Sequence, residues 1–287
     1  MIKLIRIIIT LIAIILIPSN LLGQSLHVMS YNLRYDSPND GVNKWENRKE
    51  TMVALINYYH PDILGIQEGL HHQIEYLNFN LSNYEYVGVG RDDGKQQGEY
   101  AALFFDKTKY SVVKEGTFWL SDKSDMVSVG WDASMERICT YGLFENRQTG
   151  KKLWVFNTHY DHMGVLAREK SSELVLKKIA LLNKKAFPVI LMGDLNALPE
   201  SNPIKQLKSK LDDGLLISKT ALYGPSGTFT GFNPTEKIDR RIDYIFTSML
   251  EVLSYRHIND KRTDTNFISD HLPVFAKIAF PETNNIK

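Results

Sequence analysis

Cysteine is almost absent from the 287 residues: Cys139 stands alone, so no disulfide can form within the chain. It sits in an apolar-alternating stretch and reads as a core residue. A surplus of positive charge is also missing. The 34 Lys and Arg residues face 33 Asp and Glu, which argues against a protein built to grip long polyanions, since those carry a basic footprint. No linker, low-complexity tract or repeat of fixed period interrupts the sequence, which favours one domain with a large core over an array of small units.

What is present begins with a targeting signature. Lys3 and Arg6 precede an apolar run from Ile7 to Ile17, and Pro18 with small or polar residues follows through Gly23. Residues 1–23 read as a secretory signal, with cleavage expected just before Gln24 and residues 24–287 forming the domain. An uncleaved N-terminal anchor is the alternative, but no cysteine near the boundary can accept a lipid. The expectation is a periplasmic or secreted monomer without a stable membrane span. Loss of Lys3 and Arg6 leaves 32 cations against 33 acids, a formal charge of −1.

Short apolar runs bounded by turn residues predict strands at residues 26–32, 63–67, 100–105, 137–144, 153–157, 189–192, 241–247 and 272–280. A helix is expected over residues 43–59, with Asn43 and Glu46 resembling a capping box, and a brief one near 73–77. Another covers 168–182, with Leu174, Val175, Ile179 and Leu182 inward, and one starts at Ser201-Asn202-Pro203. Phe118-Trp119 and Trp131 bracket a polar segment read as a loop beside a site mouth. Strands that interleave with helices, yet also follow one another by tight turns, suggest mixed sheets with outer helices.

Val189 to Met192 form a short strand buried on both faces, and Gly193-Asp-Leu-Asn196 closes it. In extended geometry Asp194 and Asn196 point the same way. Alone, the pair reads more simply as an Asx turn. However, Asn32, Glu68, Asp243 and the pair Asp270-His271 stand at the ends of other apolar runs. Five such positions suggest strand ends converging on one acid-lined concavity. Clustered carboxylates repel one another unless a cation lies among them, and oxygen donors without a cysteine set suit Mg²⁺ or Mn²⁺.

Tyr31-Asn32, Gln67-Glu68, Asn157-Thr-His159, Gly193-Asp-Leu-Asn196, Ile242-Asp-Tyr244 and Ser269-Asp-His271 together resemble the endonuclease/exonuclease/phosphatase superfamily, in its order and along nearly the whole chain. The resemblance implies an α/β fold, a four-layer αββα sandwich of two mixed β-sheets flanked by helices, and hydrolysis of a phosphate ester. It implies that Glu68 is the principal metal ligand, helped by Asn32 and Asp270. Asp194 would orient or deprotonate the attacking water, with Asn196 holding it or a phosphoryl oxygen. His271, oriented by Asp243, would stabilise developing charge or protonate the leaving oxygen, and His159 would contact the phosphoryl group. Such roles suit phosphoryl transfer, which needs positioning and neutralised oxygen charge.

Arg137 has two readings: a phosphate contact, as the family often has near this position, or a surface pair with Glu136 or Asp132. Asp161 and His162 receive no fixed role. The run His159-Tyr-Asp161-His162 also resembles part of the metallo-β-lactamase pattern, but its first histidine is Asn157 here. A non-catalytic binding module is disfavoured because Glu68, Asp194, Asp270 and His271 are all present. Lys177-Lys178 and Lys184-Lys185 read as a solvated helix face, so a small or lipid-derived ester is expected as substrate in preference to nucleic acid, with a secreted nuclease as the alternative. Phe118-Trp119 and Trp131 read as core or pocket wall ahead of a membrane-binding hairpin.

Overall fold

The computed structural model describes residues 25–281; the expected signal segment lies outside them. The chain runs β1 (Ser25–Asn32), α1 (Lys49–Tyr59), β2 (Ile63–Gln67), α2 (His71–Asn80), β3 (Tyr84–Val87), β4 (Leu103–Asp106), β5 (Tyr110–Trp119), β6 (Ile138–Asn146) and β7 (Lys152–His159). It continues through α3 (Val165–Leu182), β8 (Val189–Asp194), α4 (Asn202–Lys208), β9 (Asp212–Asp213), β10 (Asp243–Ser248), β11 (Glu251–His257) and β12 (Val274–Ala279).

Two six-stranded sheets result, in the orders β11-β12-β1-β2-β4-β3 and β5-β6-β7-β8-β10-β9. Each is mixed: β1–β2 and β7–β8 are parallel, and the other pairs are antiparallel. Alternation decides the layers. On β1, Leu26 and Val28 face the second sheet, where Val155, Ile190, Met192 and Ile245 meet them, while Met29 and Tyr31 face outward onto Met52, Ile56, Ile74 and Leu77 of α1 and α2. On the other side Trp154, Phe156, Leu191 and Phe246 pack against Val175, Ile179, Ile204 and Leu207 of α3 and α4. This is the expected αββα sandwich, and Cys139 is fully buried in its third cluster.

Towards the site the inter-sheet layer turns polar. Asn157 on β7 donates to the carbonyls of Ile66 and Ala102, both at 2.8 Å, and accepts from Gln67 Nε2 at 2.6 Å. Gln67 also donates to Ser30 at 3.2 Å. Asn157 and Gln67, read above within motifs, therefore couple the two sheets.

Several expectations change. The helix expected over residues 43–59 is two 3₁₀ turns followed by α1 from Lys49, and Asn43 with Glu46 forms no capping box. Lys44 is extended, and the buried Arg48 spends its guanidinium on the carbonyls of Leu33, Arg34 and Asn43, which draws the chain out of helical register. Strands β3, β5, β9 and β11 were not legible. Phe118 and Trp119 end β5 and are buried, Trp119 Nε1 donating to the Arg91 carbonyl at 2.8 Å. They are core, as the bland reading had it, and residues 120–137 alone form the loop. Lys177, Lys184 and Lys185 are exposed, while Lys178 pairs with Asp125 at 3.0 Å. Among the described residues no helix is long and apolar enough to cross a membrane.

Candidate active site

The ends of β1, β2, β7 and β8 lie together because the two parallel pairs bring their C-terminal ends to the same rim. Asp194 is the last residue of β8 and pairs in register with Asp243, the first of antiparallel β10. Gly193 makes this possible. Its φ is +145°, and a Cβ there would stand 1.9 Å from the Thr158 carbonyl oxygen.

Asp194 is completely buried. Its Oδ1 accepts the Asn196 N–H at 2.9 Å, an Asx turn, and its Oδ2 accepts Asn32 Nδ2 at 3.0 Å. The Asx turn expected of the isolated pair is present. Burial and then the nearby Asp243 push the Asp194 carboxyl up to about 7. Asn196 leaves extended geometry, with φ +45°, so it does not run parallel to Asp194 as strand spacing suggested. Its Nδ2 donates to the Tyr160 carbonyl and to His159 Nε2, each at 3.1 Å. A carbonyl only accepts, so the amide orientation is fixed, His159 Nε2 is an acceptor, and the ring proton sits on Nδ1. Burial, with Arg137 and Arg91 nearby, holds the His159 pKa well below its ordinary value, so the ring is neutral.

His271 is the opposite case. Its Nδ1 meets Asp243 Oδ2 at 2.8 Å and its Nε2 lies 3.7 Å from Asp194 Oδ2. Burial alone would lower its pKa, but Asp243 and Asp194 raise it well above the ordinary value. It is an imidazolium with both nitrogens as donors. Thr228, not singled out from the sequence, donates to the same Asp243 oxygen at 2.6 Å.

Glu68 adopts φ +61° just past β2, a conformation uncommon for a residue with a Cβ and concentrated at functional sites. Its Oε1 accepts Asn32 Nδ2 at 3.0 Å and its Oε2 the Tyr35 N–H at 3.2 Å. Asp270 follows Ser269, whose hydroxyl ties it to β1 through the Asn32 carbonyl at 2.7 Å. Burial, and Glu68 beside it, push the Asp270 carboxyl up to about 6.

Donor atoms of Glu68, Asp194 and His271 lie within 4.8 Å of one another. That grouping differs from the expected set of Glu68, Asn32 and Asp270. His271 Nδ1 is engaged by Asp243, and a hard cation prefers the oxygens of the carboxylates and Asn32. Burial raises the Asp194 and Asp270 carboxyls, and a divalent cation among these oxygens would favour their charged forms. Asn32 Oδ1 accepts the Arg34 N–H at 2.9 Å, which leaves its second lone pair for coordination. The residues fit a hard divalent cation.

These groups floor a cavity of about 500 Å³, and Arg34, Arg91, Glu99, Arg137, His162 and Arg240 are among its walls. Arg137 is buried and pairs with Asp161 at 3.3 Å and His162 Nδ1 at 2.9 Å, which removes the surface pair with Glu136 or Asp132. Asp132 instead accepts the N–H groups of Leu166 and Ala167 at the start of α3, at 3.2 and 2.6 Å. Asp161 is committed to Arg137, and Asn157 to the inter-sheet layer, so the metallo-β-lactamase pattern has no place.

The model of the Endonuclease/Exonuclease/phosphatase family matches residues 29–271. Among solved structures, a Bacteroides thetaiotaomicron mannosyl-6-phosphatase is 36% identical, with a TM-score of 0.86 over 89% of this chain and 100% of that one. An uncharacterized protein of Acanthamoeba polyphaga mimivirus is 26% identical over 81% of this chain and 91% of its own length. Human nocturnin is 23% identical over 84% of this chain, which spans 60% of nocturnin's length.

Proposed function

We propose, from the premise that the chain belongs to the endonuclease/exonuclease/phosphatase family of phosphoester hydrolases, that it is a divalent-metal-dependent phosphatase acting on a small phosphate ester. The observation that carries this reading is the convergence of Asp194, the Asp243–His271 pair and Glu68 on the floor of one cavity. The 36% identity to a mannosyl-6-phosphatase supports a monoester.

Asp194 orients a water and takes its proton as the oxygen attacks phosphorus, while the bond from phosphorus to the ester oxygen breaks. Asn32 and the Asn196 N–H fix the two Asp194 oxygens, which places the carboxylate for general-base work. Asn196, whose Nδ2 is spent on the Tyr160 carbonyl and His159, steadies the water through its Oδ1, and the Nδ1–H of neutral His159 contacts a phosphoryl oxygen. His271 directs its Nε2–H at the oxygens gaining charge, and Asp243 fixes its orientation. Mg²⁺ or Mn²⁺ held by Glu68, with Asn32 and Asp270, would supply charge neutralisation at the phosphoryl oxygens. Arg137 is assigned a phosphoryl contact.

Purified protein with Mg²⁺ is expected to hydrolyse hexose phosphates and to lose activity in EDTA, with recovery on added Mg²⁺. Asp194→Asn and His271→Ala should each lower kcat by about 10³-fold or more at unchanged fold. Retention of activity in either variant, or preferential degradation of plasmid DNA or RNA, would overturn the assignment. The proposal extends to export through residues 1–23, which N-terminal sequencing of protein secreted by an expressing bacterium tests.

A further inference from the structure

The catalytic groups account for the floor of the cavity, but not for the wall built on residues 90–99. This loop is closed upon itself: Asp93 Oδ1 accepts the N–H of Lys95 at 2.7 Å and of Gln97 at 2.9 Å, and the Arg91 N–H donates to the Glu99 carbonyl at 3.1 Å. Across it Arg91 grips Glu99 with two hydrogen bonds, of 2.7 and 3.0 Å. Bidentate pairing fixes the carboxylate plane, and burial with Glu68 nearby disfavours its charge. Such a carboxylate on a cavity wall is costly unless it is used. Its Oε2 lies 3.8 Å from His159 Nδ1, too far for a direct hydrogen bond, so it does not serve as a tight orienting partner of that ring. Beside it, Arg137 Nη1 is buried without a hydrogen-bond partner among the described residues.

The charges on this wall cancel. Arg91 is matched by Glu99 and Arg137 by Asp161. A wall with no net charge but with a carboxylate fixed as acceptor is complementary to alcohols, whose O–H donates a hydrogen bond to it. It is poorly matched to a second phosphate, which offers only acceptors and would meet Glu99.

We propose that Glu99, held by Arg91, is a specificity-determining residue that accepts hydrogen bonds from hydroxyls of the leaving group, and that the substrates are monophosphates of polyhydroxylated alcohols such as sugars. This rests on the phosphatase reading above. A site built to hydrogen-bond a substrate hydroxyl rejects the analogue lacking it, because its buried polar groups are then left unpaired.

The test compares mannose 6-phosphate, cyclohexylmethyl phosphate (a six-membered carbocycle with the same CH2–O–phosphate arm and no hydroxyls) and fructose 1,6-bisphosphate on the Mg²⁺-loaded enzyme. The expected result is a kcat/KM at least about tenfold higher for mannose 6-phosphate than for cyclohexylmethyl phosphate, with the bisphosphate the poorer sugar. In Glu99→Gln that ratio should collapse at least fivefold, chiefly through the KM for the sugar phosphate. A structural role alone would lower both substrates together and leave the ratio intact. Equal wild-type rates on the two monoesters, a preference for the bisphosphate, or an unchanged ratio in Glu99→Gln each overturn the inference while leaving phosphatase activity standing. Hydrolysis of none of the three overturns the phosphatase reading and this inference with it. If Glu99→Gln does not fold, equal wild-type rates on the two monoesters still overturn the inference.

Discussion

The same residue types carry opposite states within a few ångströms. His159 and His271 are both buried, yet burial, reinforced by nearby arginines, holds the first well below its ordinary pKa, while Asp243 and Asp194 overcome burial and raise the second well above it. Asp161 shows the same contrast with Asp194. Burial would raise the Asp161 carboxyl, but the Gly164 N–H, the Ser134 hydroxyl and Arg137 outweigh it and hold it at about 2. A carboxyl depressed below its unfolded value contributes stability above that value, and the contribution is lost as pH falls towards the folded one. The stability advantage of the wild type over Asp161→Asn, followed by urea titration, should be full above about pH 5 and shrink steadily through pH 4 towards pH 2. A constant difference across that range would contradict the pairing. None of these distinctions is legible in the sequence, which shows His and Asp but not their neighbours. The positions themselves were legible, since polar residues directly after short apolar runs have few structural excuses.

At the level of strands and helices, the sequence speaks where an element is buried on both faces. β2 and β8 are continuous apolar runs, and their ends could be placed to within two residues. β5 and β11 lie at sheet edges with partly exposed faces and mixed composition, so period-two patterning is blurred and both went unseen. The loop carrying Arg91 and Glu99 was equally silent, since nothing in Arg91-Asp-Asp-Gly-Lys-Gln-Gln-Gly-Glu99 announces that its ends will pair. Gly193 is the element-scale test. Substitution by alanine places a methyl into the Thr158 carbonyl and must pry β7 from β8 just below His159 and Asp194. Gly193→Ala should therefore cost about 2–4 kcal/mol of stability and lower kcat at least tenfold. A variant with wild-type thermal midpoint and rate would show that the rim is looser than its geometry indicates.

Across the whole molecule, the site is divided between the sheets. Asn32, Glu68 and Asp270 belong to the first, and His159, Asp194 and Asp243 to the second. The spacing of reacting groups is therefore set by inter-sheet packing, and Asn157 is the polar pin that holds it. Replacing Asn157 by alanine removes three hydrogen bonds from the interior and leaves Gln67 with Ser30 and the Ala102 carbonyl with the Ile66 N–H as remaining partners, at about 2–4 kcal/mol. Denaturation midpoints should fall accordingly, and kcat should fall with them although Asn157 reaches no substrate. A loss confined to stability would separate the pin from the chemistry.

The strand order has a consequence for the chain as it is made. β12 lies between β1 and β11 inside the first sheet, and Asp270 and His271 immediately precede it. A ribosome must therefore have extruded nearly the whole polypeptide before the first sheet can close or the imidazolium reach Asp243. Until then the earliest strand offers an open edge, and a prematurely released product is both inert and prone to association. Hydrolysis thus reports completed synthesis as well as correct folding.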